Sequence, residues 1–338
     1  MKLVELGRQR DGHLILERCA LEPLAPGCIA DGNIEQFETV ADALRRVVRQ
    51  SGTRTRQAAL ALPSSAVITK KITVAGGLSE SELESQVQAE ASQYLPFSLE
   101  EVSLDFCVMG PVAGRAEVVD VLIAASRKER VQDRQDLAEA AGLKPVILDI
   151  ESFASRVAAA RLAESLPADS LGDGVPMVAL FEVGAHCTGM QVLRGEDVLY
   201  DRDQAFGGAQ LTQQIARTYG VPPDEAEQRK RRGDLPPDYA AHLLPQFVDD
   251  MAQDIARALQ FFFNSTPHHR VDCVLLAGGC ASLPGLAEAV ARLTSFACRP
   301  ADPFTGMRVG SAVSAGSLQG QAPSYLTCCG LALRRFLP

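Results

Sequence analysis

The chain has 338 residues, room for two domains or for one domain of two similar lobes, and its 46% hydrophobic content supports a large core. Its 33 Lys+Arg stand against 42 Asp+Glu, a formal net charge of -9, so no basic surplus exists to neutralise a nucleic-acid backbone. The longest apolar runs, such as Val118–Ala125 and Val271–Cys280, are too short to span a bilayer, and Glu5 interrupts any signal-peptide core, which points to a cytoplasmic protein.

Leu3–Leu6 and Leu14–Leu24 read as strands of a meander, and Asn33 onward leads into an amphipathic helix with Val40, Ala43, Leu44, Val47 and Val48 on one face. Ala58–Leu62 is a short apolar strand stopped by Pro63. A separate α+β block follows. It holds strands Ile68–Val74, Ser103–Met109 and Val118–Ala125, a helix opened by the capping box Ser79–Glu82 and ended by Pro96, and a helix capped by Ser126-x-x-Glu129 that stops at Gly142. Pro145–Ile150 is the next strand and Glu151–Leu162 its helix. Leu166–Pro176, rich in Pro, Asp, Ser and Gly, reads as the linker.

After the linker the order begins again. Met177–Val183 is a strand, Gly184-Ala185-His186 a tight turn, and Met190–Leu193 and Asp197–Asp203 complete a meander closed by Gly207-Gly208. Helices follow at Ala209–Tyr219, Asp224–Arg232 and Leu244–Phe263, the last with Phe247, Val248, Met251, Ile255, Leu259 and Phe262 on its buried stripe. Val271–Ala277 is a buried strand, Gly278-Gly279 a turn with φ > 0, and Pro284 the first turn of another helix. Tyr325–Phe336 closes the chain. The two halves share an order of meander, helix, insertion, strand and helix, but the first half has no counterpart of the strand and glycine turn that open the second. Nine cysteines without a C-x-x-C pair read as reduced, buried thiols, and His268-His269 as loop residues.

The glycine turn after Val271–Ala277 is, by itself, equally an αβ turn with no ligand. The ordered pieces together carry more: K-L-V-E-L at Lys2–Leu6, Q-Y-L-P-F-S-L-E-E-V-S-L-D-F at Gln93–Phe106, A-A-G-L-K-P at Ala140–Pro145, D-I-E-S-F-A at Asp149–Ala154, E-V-G-A-x-x-T at Glu182–Thr188, F-G-G-A-Q-L-T at Phe206–Thr212, L-A-G-G-C-A-S-L-P-G-L at Leu276–Leu286 and G-L-A-L-R at Gly330–Arg334. This duplicated pattern resembles the actin, Hsp70 and sugar-kinase superfamily, and within it the PilM family of type IV pilus assembly proteins, relatives of FtsA.

The resemblance implies an α/β, actin-like (ribonuclease-H-like) duplicated bilobed fold. Its first lobe would be residues 1–165 with an insertion at about 64–143, followed by a linker at 166–176. The second lobe would span 177–322 with a helical insertion at about 209–270, and a closing helix at 323–338 would pack on the first lobe. It implies ATP and Mg in the cleft, with Gly184, Ala185 and Thr188 as the second phosphate loop, Gly207 and Gly208 beside it, and Gly278 and Gly279 as the adenosine motif. Glu227 and Lys230 would hold ribose and base, or else are a solvated charged helix end. Asp149 and Glu182 would lie near the metal. Glu182 stands where the family has Asp, and a carboxylate displaced by about 1 Å costs on the order of a hundredfold in rate. The family's first strand and first phosphate loop, of G-x-D-x-G-S/T type, would lie upstream of Lys2. The expectation is therefore weak or absent nucleotide binding and ATPase activity.

The implied partner is the N-terminal cytoplasmic tail of PilN, an apolar Asn-Leu-Leu-Pro-type segment, received at Tyr94, Leu95, Pro96 and Phe97; alternatively these four only pin the insertion's own core. Attachment to the inner membrane would be indirect, through that partner, and the adaptor could pair with itself. Two other classes stay open: an ATP-binding, filament-forming protein of the FtsA type, and an ATP-dependent kinase of the same superfold.

Overall fold

The computed structural model describes the chain apart from residues 31, 113, 167–173, 196, 319 and 338, and the side chains of 116, 315 and 317. Most of the expected linker at 166–176 lies outside the described residues. The rest divides into two compact units, one of Leu21–Glu151 with Met1, the other of Lys2–Ala20 with Ser152–Pro338.

In the first unit, β3 (Ile29–Ala30) and β4 (Asn33–Ile34) form a small hairpin before helix α1 (Phe37–Ser51). The stretch from Asn33 leads into that helix through this hairpin, in which Ile29 and Ala30 pair with Ile34 and Asn33. Helix α1 buries Val40, Ala43, Leu44, Val47 and Val48 and ends on Gly52 in the left-handed region. Strand β5 (Gln57–Leu62) runs parallel to β9 (Lys144–Ile150) in a two-stranded sheet. Between them in sequence, β6 (Val67–Ala75), β7 (Val102–Val112) and β8 (Arg115–Arg127) form an antiparallel sheet of order β6-β8-β7. Helix α2 (Glu80–Tyr94) covers one face of it. Ile72, Val74, Val87, Ala91, Val121 and Ile123 make this core, joined by Leu83, Leu95 and Phe106.

Ser79 and Glu82 form the predicted capping box of α2, the Glu82 carboxylate accepting the Ser79 N–H at 2.9 Å. The second predicted cap does not form. Helix α3 (Lys128–Ala140) starts after Arg127 with no side-chain cap, because the Ser126 hydroxyl donates instead to the Ala66 carbonyl at 2.8 Å. Ser126 belongs to the ladder of β8 with β6, opposite Val67, and its side chain bonds across that ladder.

The second unit holds β1 (Lys2–Arg8) and β2 (Leu14–Leu21), with β15 (Arg308–Val309) parallel to β2, in a sheet of order β1-β2-β15. Its larger sheet contains β10 (Met177–Val183), β11 (Thr188–Arg194), β12 (Asp197–Gln204), β13 (Cys273–Ala277) and β14 (Cys298–Pro300), in the order β12-β11-β10-β13-β14. Strand β10 lies antiparallel to β11 and parallel to β13, and β13 is buried along its whole length. Continuous apolar runs suit such doubly covered strands. Helices α5 (Ala209–Tyr219), α6 (Pro223–Arg232), α7 (Leu244–Ser265) and α8 (Leu286–Thr294) cover the sheet. Phe181 and Phe262 are fully buried in this core, each worth about 2–3 kcal/mol of apolar transfer. A π-helical turn, Tyr239–Leu243, leads into α7. Pro284 is not in the first turn of α8, as the sequence suggested, because Gly285 in the left-handed region is the N-cap.

Helix α4 (Glu151–Glu164), the short α9 (Ala315–Leu318) and α10 (Leu326–Leu333) complete the elements. The predicted closing helix is α10 with a 3-10 turn on either side, and it packs against β1. The close approach of α10 to α4 needs Gly330: a Cβ there would lie 1.8 Å from the Ala154 carbonyl oxygen. None of the nine cysteines is in a disulfide, but Cys107 and Cys187 are exposed, so the expectation of uniformly buried thiols is corrected. Cys107 lies on the edge strand β7 and Cys187 in the turn between β10 and β11.

Candidate functional site

The carboxyl ends of β10 and β13 lie side by side in the second unit, Glu182 opposite Ala277. Such ends of parallel strands are where α/β sheets place ligands. Three glycine turns meet there. The turn Gly184–Cys187 joins β10 to β11, the Gly184 N–H donating to the Cys187 carbonyl at 3.0 Å. Gly207-Gly208 leads into α5, with the Gly208 N–H donating to Gly184 O at 2.9 Å and the Ala209 N–H to Ala185 O at 2.7 Å. A Cβ on Gly207 would lie 2.6 Å from Ala185 O, so these turns touch backbone to backbone.

Gly278 follows β13 with φ +87, and only this first glycine of the predicted pair has positive φ. A Cβ on it would meet Val183 O at 2.4 Å, while its N–H donates to Pro323 O at 3.0 Å. The Cys280 N–H donates to Val183 O at 3.4 Å, and its thiol points at Gly184 O and packs under Gly208. Burial pushes that thiol's pKa up. Gly279 differs from its neighbours, since a Cβ on it would meet nothing within 4 Å.

The structure thus brings together Gly184, Ala185, Gly207, Gly208 and Gly278. Thr188 sits below them, fully buried, its hydroxyl donating to Phe206 O at 2.8 Å. A phosphate-binding turn aims convergent N–H groups at its anion. Here the N–H groups of Gly184, Gly208, Ala209, Gly278 and Cys280 all donate to carbonyls of adjoining turns and strands, and the Thr188 hydroxyl is likewise used. These five N–H groups and the Thr188 hydroxyl are therefore not aimed at an anion. The face of the cluster left open is the one at Gly279.

Glu227 and Lys230 join the cluster from α6. The Lys230 ammonium lies 2.5 Å from the Glu227 carboxylate, and donates to Thr212 Oγ1 at 2.7 Å and Gly208 O at 3.4 Å. The Thr212 hydroxyl in turn donates to Glu227 Oε2 at 2.5 Å, and Arg231 Nε donates to Oε1 at 2.7 Å. Burial alone would raise the Glu227 pKa. Lys230, Thr212 and Arg231 outweigh it and hold the carboxyl at about 2. This is no solvated helix end: the pair pins α6 to the start of α5. Thr212 was missed as a site residue although it ends the F-G-G-A-Q-L-T piece, one helical turn beyond Gly208. Cys280 was missed because a thiol after two glycines carries no chemical signature of its own.

The linkage has a definite sign. A carboxyl depressed to about 2 from 4.5 stabilises the fold above the unfolded value and loses that contribution as pH falls toward 2. With the side chain 31% exposed, screening reduces the contribution to about 1–2 kcal/mol. Glu227→Gln is therefore expected to flatten the acid limb of a stability profile between pH 5 and 2, measured by urea unfolding, whereas a limb of unchanged slope sinks the assignment.

The two residues expected near a metal belong to different units. Asp149 lies on β9 in the first unit, where its carboxylate accepts the Ile150 N–H at 2.8 Å. Glu182, in the second unit, accepts the Thr327 hydroxyl at 2.9 Å, and the Ser155 hydroxyl donates to Thr327 at 3.0 Å. A hydrogen-bonded line thus runs from α4 through α10 to β10. No group of three metal-ligating side chains occurs among the described residues.

In the first unit the four proposed partner residues divide by role. Leu95 packs into the core under α2. Tyr94 is 47% exposed with the Lys70 ammonium 4.8 Å from its ring centroid. Phe97 is half-buried beneath the Arg127 guanidinium, 4.0 Å from the ring centroid, and Pro96 is exposed. Two aromatic rings under two cations make a surface that an apolar segment with acidic or carbonyl acceptors can meet.

A family model described as type IV pilus assembly protein PilM matches residues 1–336. A solved PilM–PilN type IV pilus biogenesis complex is similar over 100% of this chain and 96% of that chain, at 29% identity and a TM-score of 0.79. The ethanolamine utilization protein EutJ from Carboxydothermus hydrogenoformans is similar over 98% of this chain and 89% of its own, at 17% identity and a TM-score of 0.52, a likeness of fold alone. The fold is actin-like.

Proposed function

Because the chain belongs to the type IV pilus assembly protein PilM family, we propose that it serves as an actin-like adaptor of the inner-membrane assembly platform and binds the N-terminal cytoplasmic tail of PilN. The likeness to a PilM–PilN complex along the whole chain carries this reading. No described helix is long and apolar enough to cross a membrane, and contact with the inner membrane would come through PilN.

Within this proposal the Tyr94–Phe97 segment receives the tail. Alternate side chains of an extended apolar peptide would dock against Phe97 and Tyr94 while its main chain bonds to the protein. The test is titration of a PilN-tail peptide into the wild type and into Phe97→Asp, with the circular dichroism of the variant as a folding control. A loss of affinity of about tenfold, or about 1.4 kcal/mol, is expected. Unchanged affinity in the variant removes the segment from the interface, and failure of the wild type to bind removes the adaptor reading.

Nucleotide has at most a weak place in this reading, since the N–H groups of Gly184, Gly208, Ala209, Gly278 and Cys280 already have protein partners. Calorimetric titration with Mg-ATP is expected to show no saturation below about 1 mM. Stoichiometric binding at micromolar concentration would reverse that expectation and favour the filament-forming class.

A further inference from the structure

The chain carries a formal net charge of -9, yet four exposed cations gather at one end of its first unit. Arg49 lies in the last turn of α1, Arg54 and Arg56 in the loop that follows, and Lys144 begins β9. The fold brings them together: Gln57 of β5 sits opposite Lys144, and the Lys144 N–H donates to Arg56 O at 2.7 Å. Side-chain turns hold the loop between them. The Thr53 N–H donates to Ser51 Oγ at 3.2 Å and the Thr55 N–H to Thr53 Oγ1 at 3.1 Å.

The charge of this end is left largely unanswered within the protein. Asp42 and Glu22, the carboxylates beside α1, are taken by Arg45 and Arg46. Glu139, in the last turn of α3, is exposed as well and offsets one charge. Arg49, Arg54, Arg56 and Lys144 make no ion pair with the described residues. In the last turn of α6, by contrast, Arg229, Lys230 and Arg231 are each paired with a glutamate. The negative end of α1 accounts for Arg49. It does not account for Arg54, Arg56 and Lys144, which lie outside any helix.

We propose that this end of the first unit rests on an anionic lipid surface, a direct contact that does not depend on the adaptor reading. Residues 52–57, Gly-Thr-Arg-Thr-Arg-Gln, carry no apolar side chain and so offer no pocket of the kind that gives peptide recognition its selectivity. An anionic bilayer asks only for cations within a Debye length of its surface, about 8–10 Å. A long nucleic acid would run beyond the patch onto a chain whose net charge repels it. Each cation in the lipid surface layer contributes about fivefold in affinity.

Flotation of the full chain with vesicles of phosphatidylcholine, with and without about 30% phosphatidylglycerol, tests the contact. The wild type is expected to bind the anionic vesicles alone and to leave them at about 0.5 M salt. Arg54→Gln/Arg56→Gln, which changes two exposed side chains and no ion pair, is expected to bind about 25-fold more weakly, with its circular dichroism unchanged. Arg217→Gln/Arg232→Gln removes the same charge from exposed positions of the second unit and should alter binding by less than about twofold. Equal losses in the two variants, binding to the neutral vesicles, or failure of the wild type to bind the anionic ones overturns the proposal. Tighter binding to soluble poly-glutamate than to anionic vesicles at equal charge would assign the patch to an acidic protein segment, and overturns it too.

Discussion

Gly330→Ala is expected to destabilise the second unit by about 4 kcal/mol, enough to lower Tm by about 10 °C or to prevent accumulation of folded protein. The added methyl would sit 1.8 Å from the Ala154 carbonyl oxygen and 2.5 Å from its carbon. Neither is the end of a flexible side chain, so α10 and α4 must move apart by well over 1 Å. The same crossing carries the Ser155–Thr327–Glu182 line of hydrogen bonds. Parting the helices therefore adds about 1–3 kcal/mol for the lost hydrogen bond of the fully buried Ser155. Urea unfolding of the variant beside wild type measures the loss. A change below about 1 kcal/mol shows that the helices cross with more room than the structure gives them.

A paired substitution at the glycine turn separates folding from ligand binding. Gly278→Ala combines a φ of +87 with a Cβ 2.4 Å from Val183 O, and is expected to cost about 3 kcal/mol in stability. Gly279→Ala, next in sequence, meets no atom within 4 Å and needs no special backbone, so stability should stay within about 0.5 kcal/mol. If the open face at Gly279 meets a ligand, only the second variant can report it, as a folded protein with weakened binding. Equal loss of stability in both variants contradicts the geometry of the turn.

Much of this was legible in the sequence because local chemistry decided it. Ser79 and Glu82 cap a helix wherever an amphipathic run follows them, and the apolar run Val271–Ala277 favoured a buried strand, formed at Cys273–Ala277. The glycines at 184, 207, 208 and 278 marked the turns, but were read as room for a ligand; at 184, 207 and 278 neighbouring backbone takes that room. Other features depend on distant neighbours. Ser126 and Glu129 have the spacing of a cap, but the Ser126 hydroxyl is taken by Ala66, 60 residues earlier. The inward use of the Thr188 hydroxyl could not be read either, because Phe206 comes beside it only when β11 and β12 pair. For Glu227 and Lys230, a spacing of three residues fits both a solvent-facing ion pair and the half-buried one observed. Thr212, on another helix, makes the difference.

The helix α10 that packs against β1 stands more than 300 residues later in the chain. During synthesis at roughly 5–20 residues per second, residues 2–20 therefore wait many seconds for that cover, while residues 21–151, a compact unit by themselves, are already made. The unit completed last is the one begun first. Ribosome-bound chains halted before residue 326 should accordingly expose Lys2–Ala20 to protease while the middle of the chain resists it.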